Sequence, residues 1–119
     1  MLTIQLHHLT FFGHHGLHQE EQITANNFEV SLDVTYDEHN TQFNKPEDTI
    51  DYVALYNIVR GQMNITTPLL EKICDQIAGK IKNQFPLVRE INVCIKKLNM
   101  PIENFHGSIS VSLRKKFDE

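Results

Sequence analysis

The stretch "FEVSLDVTY", residues 28–36, alternates apolar and polar side chains from end to end. Phe28, Val30, Leu32, Val34 and Tyr36 share one side, and Glu29, Ser31, Asp33 and Thr35 share the other. A strand with one buried and one wet face has this period, so the fold holds an antiparallel sheet covered on a single side. Toward the N-terminus, Ile4 and Leu6 open a similar strand that runs to about Phe12. Toward the C-terminus, Ile91, Val93 and Ile95 alternate, and Ile109, Val111 and Leu113 alternate with Ser108, Ser110 and Ser112. Between the second and third strands the period becomes helical. Asp51 can cap a helix with Leu55, Tyr56, Val59 and Met63 among its apolar positions. "TTPLLEKICDQIAGKIKNQFP", residues 66–86, starts a second helix with Thr67 as N-cap and Pro68 in the first position. Leu70, Ile73, Cys74, Ile77 and Ile81 form its stripe, and Pro86 marks the stop.

The order is ββααββ, an α+β fold in which two helices cover one face of a four-stranded antiparallel sheet. The other face is lined with Ser, Thr, Glu and Asp, and the sheet has open edges. Closing several copies edge to edge into a barrel-like ring would remove the edges and leave a polar lumen, so a homo-oligomeric ring is expected.

The chain has 119 residues, which suits one domain spanning 1–119. Net charge is −4, and the only basic block is the short "RKK" at 114–116, so nucleic acid is not an expected partner. No apolar run approaches a membrane span, and "MLTIQLHHLT" at the start has no charged region of a signal peptide. Cys74 and Cys94 both sit in apolar patterns and read as small buried hydrophobes of a reducing compartment. A cytoplasmic location is expected.

Lys97 falls in phase with Ile91, Val93 and Ile95 on the apolar side of its strand, whereas Lys96 faces the other way. An inward lysine is costly to desolvate, so it is either a functional group or a stem that snorkels where the strand leaves the core. Glu71 lies in the first turn of the second helix, where it either complements the helix dipole or anchors a ligand through two parallel hydrogen bonds. Tyr52 opens the first helix, as an amphipathic core aromatic or a site hydroxyl. Glu21 follows Glu20 in the loop that ends the stretch "FFGHHGLHQEE", residues 11–21, and is undecided by itself.

Five of the seven histidines fall in the first eighteen residues, as His7, His8, His14, His15 and His18. Adjacent residues on a strand point to opposite faces, so the two His-His doublets are not expected to converge on one ion. HExxH, CxxC and His-x-His spacings are absent, and no metal or other cofactor is expected. "GHHG" at 13–16 reads as a conformational element, its glycines allowing a sharp connection close to a ligand.

Gly13-His14-His15-Gly16 followed by Glu21, then "DTIDY" at 48–52, "LLEKI" at 69–73 and "IKKLNMPI" at 95–102, resemble the dihydroneopterin aldolase family over essentially the whole chain. The resemblance implies the tunnelling fold, whose ββααββ subunits form barrel-like rings, typically two stacked tetramers with sites between subunits. It implies a folate-pathway lyase that splits 7,8-dihydroneopterin into 6-hydroxymethyl-7,8-dihydropterin and glycolaldehyde, often with epimerisation to 7,8-dihydromonapterin. Neither a metal nor a Schiff base is implied. By position, the family's anchoring glutamate falls on Glu71, its lysine beside N5 on Lys97, and its tyrosine reaching in from a neighbouring subunit on Tyr52. The loop glutamate that holds the lysine and a water falls on Glu21, and backbone groups around Leu17, Thr49 and Leu70 complete the pocket. The family commonly has Tyr in place of His14 and an apolar residue in place of His18. After the lysine it often reads Asn-Pro-Pro-Ile-Pro-Gly, where this chain has Asn99-Met100-Pro101-Ile102-Glu103-Asn104.

Two other readings compete. The sister epimerase acting on dihydroneopterin triphosphate resembles the chain in its Glu, Tyr and Lys but generally lacks a Gly-x-His-Gly loop. A triphosphate also calls for a basic cluster, for which His14, His18 and "RKK" are a poor substitute. Zinc-dependent pyruvoyl-tetrahydropterin synthases share the fold type but need a three-histidine site that these spacings do not assemble. The reading from another class is a non-catalytic pterin- or metal-binding ring protein, for which only the histidines speak.

Overall fold

The computed structural model describes residues 1–19, 26–38, 42–98, 104 and 106–118. Alternation builds four strands: β1 (Leu2–Gly13), β2 (Asn26–Tyr36), β3 (Val88–Lys97) and β4 (Ile109–Lys116). They pair antiparallel in the order β1-β2-β3-β4, which leaves β1 and β4 as the sheet's edges. A short 3-10 turn (Pro46–Asp48) leads to helix α1 (Tyr52–Met63), followed by helix α2 (Leu70–Gln84). Asp51 caps α1, its carboxylate accepting from the Val53 amide at 2.9 Å. Both helices lie on the apolar face, α1 against β1 and α2 against β3 and β4. No helix among the described residues is long and apolar enough to cross a membrane.

The apolar positions read from the two periods meet in one layer. Phe28, Val30, Leu32 and Val34 of β2 and Ile91, Val93 and Ile95 of β3 are fully buried beneath Leu55 and Val59 of α1 and the stripe of α2. Each such side chain contributes about 1.5–3 kcal/mol by leaving water, so the two central strands dominate stability. β4 is exposed or half-buried throughout and adds less.

Three local expectations are corrected. Helix α2 starts at Leu70 rather than after Thr67, and its N-cap is Leu69, with no side-chain capping bond. Thr67 cannot cap because its backbone is already bonded to the loop after β1, and its hydroxyl donates to the Ile65 carbonyl at 2.8 Å. Cys74 is buried as expected, but Cys94 is half-exposed on the polar face, opposite Ser31 and Ser112. It shares the phase of Asn92 and Lys96, not that of Val93 and Ile95.

The third correction concerns the first histidine doublet. Leu6 pairs with Leu32 and Leu9 with Val30, so His7 and His8 together oppose Ser31 alone. This is a β-bulge, with His8 in the left-handed region at φ 61°. It absorbs the extra residue that lets Leu6 and Leu9, three apart, both face the core. Both imidazoles consequently turn to the polar face, His7 Nε2 lying 2.8 Å from Asp33 and His8 Nδ1 bonding Glu29.

That polar face holds an open cavity of about 750 Å³ lined by Thr3, Asp33, Thr35, Glu90, Asn92 and Arg114 among others. None of the candidate site residues among those described borders it. The molecule is elongated, 53 × 25 × 24 Å, with a radius of gyration of 15.8 Å. A globular chain of this length would have about 13.5 Å.

Candidate functional site

Lys97 closes β3, opposite Phe28 on one side and Ile109 on the other, and is only 9 % exposed. The stem does not run out to water, so the inward phase read from the sequence describes a buried lysine. One further ladder bond, Leu98 amide to Asn27 carbonyl at 3.0 Å, fixes the strand end beyond it.

Where β1 ends, Gly13 passes the chain into the loop that carries His15 and Leu17. His15 is 1 % exposed. Its Nε2–H donates to the Met63 carbonyl at 2.8 Å, and its Nδ1 accepts from the Thr67 amide at 3.2 Å. The Gly16 amide adds a bond to the Thr67 carbonyl at 3.2 Å. The ring stands edge-on to Phe28, with centroids 5.2 Å apart. Burial pushes the His15 imidazole below its ordinary 6.5; the Met63 carbonyl pulls the other way, and nearby His14 adds to the lowering. A neutral ring protonated at Nε2 satisfies both bonds. The glycines of "GHHG" suggested a shaped loop, but the pattern alone did not single out this histidine.

The same connection leads into α2. Leu70 is its first residue, 7 % exposed, and Glu71 its second, exposed to solvent. The first turn closes through the Lys72 and Ile73 amides on the Leu69 carbonyl, at 3.1 and 3.4 Å. The Leu70 and Glu71 amides precede the first helical bonds and have no acceptor within the helix. Leu17, two residues past His15, is an apolar side chain 66 % exposed. Lys97, Leu17, Leu70 and Glu71 therefore belong to one end of the sheet, joined through Phe28, His15 and Thr67.

Thr49 and Tyr52 do not. Thr49 shares a 3.0 Å hydrogen bond with the hydroxyl of Tyr36, at the far end of β2. Eight residue steps separate Tyr36 from Phe28, about 26 Å of extended strand. Tyr52 begins α1, about 16 Å along the helix from Met63, which touches His15. Its ring is 66 % exposed. Glu21 lies outside the described residues, as do Asn99 to Glu103.

Among the described residues no group of three or more His, Cys, Asp or Glu is arranged to hold a metal ion. Burial above all pushes the Cys74 thiol up to about 12, so it stays protonated beneath the sheet.

The sequence profile of the dihydroneopterin aldolase family matches residues 4–114. A dihydroneopterin aldolase of Streptococcus pyogenes serotype M18 is 30% identical over 120 residues, covering 97% of this chain and 98% of the relative. The crystal structure of the Escherichia coli dihydroneopterin aldolase in complex with neopterin superposes with a TM-score of 0.84 at 13% identity, covering 97% of this chain and 99% of that one. A Burkholderia dihydroneopterin aldolase bound to guanine gives 0.78 at 16% identity, covering 98% and 92%.

Proposed function

The chain belongs to the dihydroneopterin aldolase family, and from that premise we propose the chemistry its residues perform. It is a folate-pathway aldolase. The substrate in this reading is 7,8-dihydroneopterin, split into 6-hydroxymethyl-7,8-dihydropterin and glycolaldehyde, with epimerisation to 7,8-dihydromonapterin as a second outcome.

Neopterin and guanine, the ligands of the two related structures, share an amino-pyrimidinone edge with adjacent N–H donors. A carboxylate accepts such a pair in parallel, and Glu71 is the carboxylate for that role, with the backbone of Leu17, Thr49 and Leu70 around the ring. In cleavage the 2′-hydroxyl loses its proton and the C1′–C2′ bond breaks. The electron pair enters the N5=C6 imine, which takes a proton at N5, and glycolaldehyde leaves. The remaining enol gains a proton at C1′ and releases the one on N5. Protons and electrons balance, and the pterin itself is the electron sink, so neither a metal nor a Schiff base is called for. Lys97 is the group beside N5, Tyr52 serves C1′, and Glu21 holds Lys97 and a water. The protein's work is to position the ring and move protons.

Two features support a site shared between copies. Thr49 and Tyr52 stand apart from Lys97 within one chain, so a neighbour's Thr49 and Tyr52 would complete the pocket. The sheet also has two edges on an elongated subunit, which a ring would close. Two stacked tetrameric rings, each chain acting as one domain in the cytoplasm, complete the reading. Light scattering should return an octamer mass; a monomer at all concentrations would overturn it.

The observation that carries the function is the burial of Lys97 at the end that also holds Glu71. Its test is anaerobic incubation with 7,8-dihydroneopterin, with and without EDTA, and chromatography of the products. EDTA-insensitive formation of 6-hydroxymethyl-dihydropterin and glycolaldehyde is expected. Monapterin alone, or turnover only of the triphosphate, would reassign the enzyme as the epimerase.

A further inference from the structure

We infer that His15 is a positioning residue of the pterin site, bridging the loop that carries Leu17 to the segment that carries Leu70 and Glu71 while bracing Phe28, the cross-strand neighbour of Lys97. The inference rests on the function proposed above.

Both ring nitrogens are committed to main-chain partners, the Met63 carbonyl at 2.8 Å and the Thr67 amide at 3.2 Å. Neither is left to ligate a metal or exchange a proton with substrate, so the residue acts through others. Its partners flank the α1–α2 connection, where the Gly16 amide also bonds the Thr67 carbonyl at 3.2 Å. Without the imidazole, the two walls of the site lose both of its bonds across that connection. The space for the ring is also specific. A Cβ on Gly13 would lie 2.9 Å from His15 Nε2 and 3.0 Å from Cδ2. The ring is bonded at both nitrogens and packed on Phe28, so it cannot step aside cheaply. Gly13 is therefore required for room, and Gly13 and His15 form a fitted pair.

The test compares His15→Leu, His15→Gln and Gly13→Ala with the wild type, reading kcat, KM and helix content. Gln carries a donor and an acceptor and can restore both bonds. Leu restores neither. With normal helix content, His15→Leu should lower kcat about 10²-fold, the order of loss for a misplaced site, and raise KM. Gly13→Ala should shift both in the same direction, and His15→Gln should recover most of the loss. A merely structural role would reduce the folded fraction and leave KM untouched. A folded His15→Leu with wild-type kcat and KM, or a Gln variant no better than Leu, would overturn the inference. If His15→Leu does not fold, nitrogen-15 NMR of the wild-type imidazole decides. A neutral ring protonated at Nε2 supports the bridge, and one protonated at Nδ1 overturns it. Wild-type protein inactive on every pterin would instead strike the functional reading, and the tautomer would still judge the bridge.

Discussion

The two histidine doublets stand seven residues apart and meet opposite surroundings. His7 and His8 sit on a bulge of β1, exposed on the polar face and paired with the carboxylates of Asp33 and Glu29. His15, from the second doublet, is buried, with both ring nitrogens bonded to backbone. The residue type decides what a side chain can bond; the backbone beneath it decides what it meets. Exposed ion pairs contribute little because water and salt compete for both charges. A buried imidazole that lost one bond would leave a polar backbone group stranded, which costs more than the bond itself contributes. The same pair of letters decorates one face of the sheet and holds the other together.

Adjacent lysines offer the strongest test of that contrast. Lys97 faces the helix layer and Lys96 the polar face. Lys97→Ala should lower kcat by about 10²–10⁴-fold, as loss of a positioned acid or base does, with much less effect on pterin binding. Lys96→Ala should stay near wild type. Equal losses from both would erase the distinction between the faces. Glu71→Ala comes next. Losing two charge-assisted bonds should weaken pterin binding by at least about 10²-fold. Comparable affinity in calorimetry would refute the anchor.

Much of this contrast was legible in the chain. The alternation of 28–36 fixed which face of β2 is wet, and the in-phase position of Lys97 announced its burial. The bulge was legible too, though missed: Ile4 and Leu6 keep one parity and Leu9 and Phe11 the other, and only an inserted residue reconciles them. The start of α2 was not. Thr67-Pro68 has the chemistry of a cap, but the Thr67 backbone is taken by His15 and Gly16, over fifty positions away, and local pattern carries no trace of such a bond. Cys94 misled because its neighbours Val93 and Ile95 face the core. Thr49 and Tyr52 were drawn to the site by resemblance alone; nothing in their local pattern places them beside Lys97, and in one folded chain they lie apart from it.

Acid separates the doublets further. The His15 imidazole has its ordinary value at 6.5 in the unfolded chain and is held lower in the folded protein, chiefly by burial. Above 6.5 both states carry the neutral ring, and its contribution is complete. As pH falls below that value the unfolded chain takes the proton first, so stability is lost until the folded value is passed. Thermal melts of wild type and His15→Gln from about pH 7.5 to about pH 5.5 should show a steeper decline in the wild type, since histidine titrates in that window. Parallel declines would mean that His15 is not held neutral by its site.

The polar face should respond later and less. Glu29 is held below its ordinary 4.5, foremost by its hydrogen bond to His8. Above 4.5 the carboxylate is ionised in both states and the pair's contribution is intact. As pH drops through that value the unfolded carboxylate protonates first, and the contribution drains away toward the lower folded value. The Glu29 part of the stability profile should therefore flatten in His8→Ala below about pH 4.5, and only in low salt, because the pair is exposed and readily screened. The variant's aldolase activity near neutral pH should match the wild type, since the doublet lies across the sheet from Lys97. Lowered activity in His8→Ala near neutral pH would mean that the polar-face doublet reaches the buried layer, and the division between the two doublets would fail.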